Sequence, residues 1–585
     1  MSRQWFALAA TLTVMAAACA TSERDSFGGR GAPPPSTEQP TFPAAGDGCT
    51  CSEDGRTVLC EGAAPTPCAD GQRCFDGRCI EDACIAARSK QSTEGCSFYT
   101  VVPDAYDGAQ GCYAIFLTNA SPRPVELTLH IEGRELHGSE FAYIPSGSGD
   151  DIRYDKLPDG RIPENGLAIA FIAGPGTLGG QGSLRPCPAT PAVTHTKATP
   201  RELGFVPAIM LETSEPVVAS DIYPYGGADS HVTAASVLLP VNAWGTSYVT
   251  AVPAGGRASG APFVDLIATE DDTVVTLSPK STALEGGDVI LPVKVGQSMK
   301  LPIPRGQAYH LVQGVDLTGT VLSANKPFLA VAGSRCWGNP CDSAHQQLPS
   351  VATLGWEYAA VGHRDRLAAG PAADACAPKV PETHAFRIVG VANGTTLTYE
   401  PEAPAGAPVT LDVGKDAWIS SVEPFVVRSQ DDEHPFLLME LMSSCSSVDP
   451  CNKYGCPGDP EFTTSVPSAQ FLRDYLFFTD PTYPTTHLVV VRQRGGGGTF
   501  APVSLDCMGE IDGWSSLGRD YEYTRVDLVT DGVSQSGCAN GRHTMTSEAP
   551  FAVTIWGWGS GETGATSYAY PASRGVRPVS PIDVK

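Results

Sequence analysis

The sequence is short of positive charge, of helical periodicity and, past its first residues, of long apolar runs. Lys and Arg number 39 against 64 Asp and Glu, for a formal net charge of −25; the pI is about 4.8. A surface of that sign repels phosphate backbones and anionic headgroups, which argues against nucleic acid or a charged membrane surface as partner. Few stretches place apolar residues at the spacing of an amphipathic helix. Beyond the N-terminus, no segment is apolar enough to span a bilayer as a helix. The signatures G-x-S-x-G, H-E-x-x-H and Walker A do not occur. What the chain has instead is turn formers, 62 Gly and 50 Pro in 585 residues, with 42 % apolar residues. That combination builds short strands joined by turns around real cores, with room for several domains.

The N-terminus sets the compartment. Arg3 precedes an uncharged stretch from Trp5 to Ala18 that ends Met15-Ala16-Ala17-Ala18-Cys19. It is too short to span a bilayer and reads as a signal peptide, residues 1–18. Small residues running into a Cys resemble a bacterial lipobox, which implies that Cys19 is acylated and becomes the mature N-terminus. Ordinary secretion, with cleavage after Ala18-Cys19-Ala20, is the alternative. The chain has 19 Cys; setting Cys19 aside leaves an even number that can pair completely. Ala20 in place of an acid implies the outer membrane, and the expected localisation is an exported lipoprotein of the cell surface. Residues 19–48 are rich in Gly, Pro, Ser and Thr, and form a tether with a reach of roughly 30 Å.

Residues 49–95 hold Cys49, Cys51, Cys60, Cys68, Cys74, Cys79 and Cys84. So short a module cannot build a core and is expected to be stapled by disulfides, with Cys96 as the eighth member. Zinc is the competing reading, but residues 49–84 contain no His.

The body repeats. Ser214-Glu215-Pro216-Val217-Val218 returns as Ser323-Ala324-Asn325-Lys326-Pro327-Phe328-Leu329-Ala330-Val331, as His434-Pro435-Phe436-Leu437 and as Ser547-Glu548-Ala549-Pro550-Phe551. The four prolines lie 111, 108 and 115 residues apart. A second unit is a Tyr leading into a strand, at Tyr99, Tyr248, Tyr358 and Tyr475. Pro is tolerated where a strand begins, and Phe328 to Val331 is apolar on both faces, as a strand buried between layers must be. The expectation is an all-β protein of four tandem β-sandwich-like modules, each about 110 residues, over 96–238, 239–347, 348–465 and 466–571, then a tail over 572–585. A propeller-like ring of the same four units is the alternative. The first module carries a Gly/Pro-rich insertion around Gly174 to Pro191. Cysteines recur with the modules. Cys336 and Cys341, and Cys507 and Cys538, are expected local pairs; Cys112 with Cys187 and Cys445 with Cys451 and Cys456 are further disulfide candidates.

The stretch Asp316-Leu317-Thr318-Gly319-Thr320, with Lys326 and Pro327, resembles the signature of the IgGFc-binding protein N-terminal domain family. So do Cys341-Asp342-Ser343-Ala344-His345-Gln346-Gln347-Leu348-Pro349, the run Ala235 to Pro240 with Trp244, and Ile267 to Thr273. The resemblance runs from about residue 95 to 560. It departs at Ser343-Ala344 and at Gln346, where that family has an acid. It implies a secreted or surface protein, with adhesion the expectation; it does not imply IgG as the ligand.

Other chemistry has weaker support. Cys336, Cys341 and His345 have spacings a zinc site could use, and acidic turns at Gly149 to Asp151, Glu270 to Asp272 and Asp431 to Glu433 could offer oxygens to calcium. A disulfide and solvated turns are the simpler readings, so no metal, cofactor or catalytic residue is assigned. The expected function is binding of a protein or glycan at the cell surface, with membrane contact only through the lipid. An exported hydrolase acting on glycan or protein is the alternative.

Overall fold

In the computed structural model the described residues are 49–584, except 53–56, 61–63, 69–71, 76–77, 81–82, 106–110, 120, 175–184, 195, 227–231, 254–260, 288–289, 339–340, 372–373 and 561–565. The signal peptide, Cys19, the tether and most of the Gly174 to Pro191 insertion therefore lie outside them. Four units follow the small disulfide-rich segment, and all four share one topology. Each has a long strand, or a broken one, that serves two sheets. The long strands are Ile209–Tyr225, Thr320–Trp337, the pair Phe425–Arg428 and Phe436–Met442, and Gly541–Trp558.

The first half of each long strand pairs with an opening strand: Glu94–Thr100, Gly245–Val249, Glu357–Ala360 or Leu472–Thr479. The second half pairs on one side with a central strand: Cys112–Asn119, Pro262–Ala268, His384–Gly390 or Thr485–Gln493. On its other side runs a short inner strand: Ala234–Val237, Asp342–Gln347, Glu461–Thr464 or Ser567–Pro571. Every one of these pairings is antiparallel. In the third unit the long strand breaks at the acidic turn Asp431-Asp432-Glu433. One strand crosses between intervals: Gly204–Pro207, from the stretch read as the first module, pairs with Gln307–Val312 at the outer edge of the second unit.

The two repeated sequence units are physical partners. The Tyr248 hydroxyl donates to the Phe328 carbonyl at 2.7 Å, Tyr358 to Phe436 at 2.7 Å and Tyr475 to Phe551 at 2.5 Å. The ring pairs meet at 4.8, 4.9 and 4.8 Å. In the second, third and fourth units the opening strand is thus clamped to its long strand at the residue after the Pro. In the first unit the register differs by one from the sequence reading. Gly95 pairs with Val217 as Gly245 pairs with Phe328, so Phe98, not Tyr99, takes the tyrosine's place. Tyr99 faces the other side and packs on Trp244.

The units close into a ring. Each inner strand runs beside two others: Ala234–Val237 beside Asp342–Gln347 and Ser567–Pro571, and Glu461–Thr464 beside the same two. Apolar clusters fill all four junctions. Tyr99 and Leu239 pack with Leu329 and Val331; Val249 and Val321 with Leu437 and Met439; Val361 and Met442 with Trp556 and Val489; Phe116 and Tyr225 with Phe478 and Leu488. Alternation along one strand serves both needs. Phe328 and Ala330 enter their own unit's core while Leu329 and Val331 enter the junction. A fully buried Leu or Phe contributes about 1.5–3 kcal/mol, so the junction side chains add substantially to holding the units together. The two expected architectures coincide: sandwich-like units arranged as a ring.

Polar side chains finish the axis. The Gln346 amide nitrogen lies 2.6, 3.0 and 3.1 Å from the main-chain oxygens of Ala235, Phe462 and Ala569, one on each other inner strand. The Glu461 carboxyl accepts from the Phe462 N–H at 2.7 Å. Burial pushes it well above the carboxylate range, opposed by the N–H groups of Phe462, Ala235 and Ala569. The tail secures the ring from outside. Val576 N donates to Gln91 O, Gly575 N to Gln470 O and Val579 N to Ala352 O, so residues before the first unit are tied to the third and fourth.

Replacing Gln346 tests this axis. Gln346→Leu leaves three buried carbonyls without their donor and should lower unfolding stability by about 2–4 kcal/mol. Gln346→Glu should cost more, because a carboxylate would face three carbonyl dipoles. Denaturant unfolding measures both; a neutral Leu variant, or a Glu variant more stable than the Leu one, contradicts the assignment.

Candidate functional site

The residues of the family motif form structure at the unit junctions. The Asp316 carboxylate accepts from Thr318 N at 2.9 Å and pairs with Arg387 of the third unit at 2.5 Å. Arg387 also donates to the Val252 carbonyl at 2.7 Å. Leu317 O accepts from the Thr250 hydroxyl, and the Thr318 hydroxyl accepts from Val252 N. At Gly319 (φ +83°) any Cβ would strike the Gly414 carbonyl, so this glycine lets two units touch backbone to backbone; Thr320 starts the long strand. Asn325 and Lys326, just before Pro327, hold the acidic turn after Ile267. Lys326 Nζ donates to Asp271 O at 2.5 Å, and Asn325 bonds Val274 N and Asp272 O.

The second half of the motif stitches the axis. His345 Nε2 lies 3.0 Å from Asp221 of the first unit. Gln347 accepts from Leu239 N at 2.6 Å and donates to Tyr99 O at 3.3 Å. Pro349 is buried just beyond. Cys336 is bonded to Cys341, so these two and His345 are not brought together as metal ligands. Asp506, Cys507 and His543 do cluster, but Cys507 is bonded to Cys538, and His543 uses one nitrogen on Asp506 and faces the Ala539 carbonyl with the other.

Disulfides join Cys49–Cys60, Cys68–Cys79, Cys84–Cys96, Cys112–Cys187, Cys336–Cys341, Cys376–Cys451, Cys445–Cys456 and Cys507–Cys538, and Cys74 is disulfide-bonded as well. Cys445 and Cys451 are thus joined to Cys456 and Cys376, not to each other. Cys112–Cys187 spans 75 residues, a loop length that limits the unfolded chain by about 4 kcal/mol.

One cleft stands out, between the third and fourth units. It holds about 390 Å³ and is lined by His363, Arg364, Asp365, His384, Glu423, Tyr523 and Arg525 with Pro381, Val422 and Pro424. The loop after Glu357–Ala360 supplies His363 to Pro381. Cys376–Cys451 fixes its far end, and Arg366 anchors its near end on Glu382 with contacts at 3.2 and 2.5 Å. Gly362 is required where it stands, since a Cβ would lie 2.3 Å from the His384 ring. That close approach sets His363 edge-on to His384 at 4.6 Å, with Trp556 at 5.0 Å and Trp558 at 5.7 Å. Arg364 sits 5.1 Å over Trp558 and pairs with Asp527 at 2.8 Å. Arg525 donates from Nε to Gly362 O at 2.9 Å and lies 5.2 Å over Tyr523.

Electrostatically the site is unusual for so acidic a chain. Burial, aided by Arg366, Arg525 and Arg364, pushes the His363 imidazole well below its usual range. His384 is lowered by burial, with His363, Arg525 and Arg366 adding to it, and Glu382 opposing. His487 is lowered by burial, then by Arg364, His363 and Arg525. Behind the cleft, burial raises the Glu440 carboxyl to about 8 against the pull of Arg525 and the His363 N–H. Sequence reasoning missed this site. Its nearest signals are the dense run His363-Arg364-Asp365-Arg366 and the alternation Tyr521, Tyr523, Arg525; the other walls come from distant segments.

These groups give stability a defined pH dependence. Burial also raises Asp459, to about 7. Both carboxyls stay protonated in the fold where the unfolded chain ionises, so stability falls as pH rises from about 4 through 7 and 8. The neutral histidines work oppositely, losing stability as pH falls below about 6.5. Above that value the carboxyls act together with His310, which, against the effect of burial, Asp265 and Asp104 raise to about 9, so that it too loses stability as pH rises. The melting temperature should therefore drop between pH 6.5 and 8.5, with Glu440 alone supplying on the order of 2 kcal/mol. Glu440→Gln should shrink that drop; a melting temperature that is flat or rising over this interval contradicts it.

No curated protein matches the chain. The disulfides belong to an oxidising compartment and mark an extracellular protein. Residues 234–557 match the family described as IgGFc binding protein, a binding-type family. The match begins at the first unit's inner strand and runs almost to the end of the fourth unit's long strand. It covers more than half of the 585 residues, and the chain belongs to the IgGFc binding protein family.

Proposed function

We propose that this protein is a surface lipoprotein of a bacterium, held by an acylated Cys19 in the outer membrane and acting by binding a protein or glycan outside the cell. The observation that carries the binding reading is the cleft between the third and fourth units. Its walls are pinned by Cys376–Cys451 and by the buried Arg366–Glu382 pair. Its imidazoles are packed, neutral and weakly basic, which suits a preorganised recognition surface better than proton transfer. The tether over 19–48 would hold the ring clear of the membrane. The family name concerns IgG, and the proposed ligand is the broader class of protein or glycan.

Two experiments test it. Cys19→Ser should move the protein from the membrane fraction into the exported soluble fraction; a mutant that stays with the membrane, or a mature N-terminus at Thr21, overturns the anchor. Deleting residues 96–571 while keeping the anchor should weaken attachment of cells to each other or to surfaces. Turnover of a glycan or peptide by the intact chain, abolished by one carboxylate substitution, would overturn binding in favour of hydrolysis.

A further inference from the structure

We propose that the cleft between the third and fourth units binds an acidic saccharide, with Arg525 meeting its carboxylate. The proposal deepens the binding reading above and rests on it. It begins with a charge inventory. The chain carries −25 overall, yet Arg364 and Arg525 line this one cleft and Arg366 anchors the loop beside it. Arg366 is balanced by Glu382 at 2.5 Å and Arg364 by Asp527 at 2.8 Å. Arg525 is half-buried and, among the described residues, has no carboxylate within ion-pair distance. It donates its Nε–H to Gly362 O and lies over the Tyr523 ring. Nearby Glu440 remains protonated to about pH 8 and does not cancel it at neutral pH. Arg525 is therefore left without a carboxylate partner of its own, with Asp365 and Glu423 elsewhere on the same lining, in surroundings dry enough to strengthen a charge-assisted pair.

The rest of the lining selects the scaffold that bears the charge. The space, about 390 Å³, is at the small end of ligand sites and suits one or two sugar rings. Apolar lining is limited to Val422 and two prolines, a poor fit for a fatty acid. Asp365 and Glu423 offer acceptors for hydroxyl groups, and both would repel a dianion such as a phosphate ester. The His384 ring forms part of the wall. Tyr523 supplies an aromatic face on which the C–H side of a pyranose can rest. A monoanion with several hydroxyls meets all of these at once.

The test uses the full-length exported protein, with titration calorimetry against glucuronic acid and N-acetylneuraminic acid, their neutral counterparts glucose and N-acetylglucosamine, and inorganic sulfate. The acidic sugars should bind at least tenfold more tightly than the neutral ones. Arg525→Gln should weaken them by tenfold or more, Arg525→Lys by less, and Tyr523→Ala should weaken them while the melting temperature stays near that of the parent. Arg519→Gln, at an 85 % exposed arginine outside the cleft, should change nothing. Equal affinity for neutral and acidic sugars, binding of sulfate alone, no binding of any sugar, or a folded Arg525→Gln variant of unchanged affinity would each overturn the proposal. The two readings fail separately. Cell attachment that survives Arg525→Gln would remove the saccharide site and leave the binding reading standing. Turnover of a substrate would remove the binding reading itself.

Discussion

Four short strands meeting at an axis create a hydrogen-bonding problem, and its solution is the constraint on which the rest of the molecule depends. An inner strand has a sheet partner on one side only, so its other edge presents main-chain N–H and C=O groups to the axis. In a ring this tight no ladder forms between neighbours, and a buried unpaired polar group costs roughly 1–3 kcal/mol. Gln346 answers for the carbonyls by reaching Ala235, Phe462 and Ala569. The Glu461 carboxyl accepts from the Phe462 N–H. Gln347, through Tyr99 O, and His345, through Asp221, join the second unit sideways to the first. One strand, Asp342–Gln347, thus touches all three other units through consecutive side chains.

Ring closure also accounts for the cleft. Apolar packing draws the third unit against the fourth through Val361, Met442, Val489 and Trp556. Both units then expose strand ends and one long connection along the same groove. The disulfides Cys376–Cys451 and Cys445–Cys456 tighten that connection. Burying His363, His384 and His487 beside three arginines requires that the imidazoles stay neutral, which ties the site to the same low-dielectric junction that holds the units together.

Much of the architecture was legible in the sequence because it is repeated and local. The prolines at 216, 327, 435 and 550 mark equivalent long strands, and three of the four tyrosines clamp the residue after that proline. The register of the first unit was not legible: Phe98 and Tyr99 are adjacent aromatics, and only the pairing with Leu211 and Met210 decides which faces the core. The ring was not separable from a tandem array, because its axis is built from strands that do not look like strands. Asp342-Ser343-Ala344-His345-Gln346-Gln347 is entirely buried, yet almost wholly polar. The change at Gln346 was visible as a departure from the family pattern, but its meaning depended on three carbonyls that lie more than 100 residues away in sequence. The cleft escaped for the same reason, since no spacing in the chain joins His363 to Arg525.

Native-state hydrogen exchange on the inner strands tests the central claim, that the four units are one closed ring locked at its axis. The amides of Ala235, Gln346, Phe462 and Ala569 should exchange slowly, at one common rate, and only through an opening with the free energy of global unfolding. Four different rates, with any one of these strands opening well below the global value, would mean that the units fold and unfold independently and that the axis does not hold them.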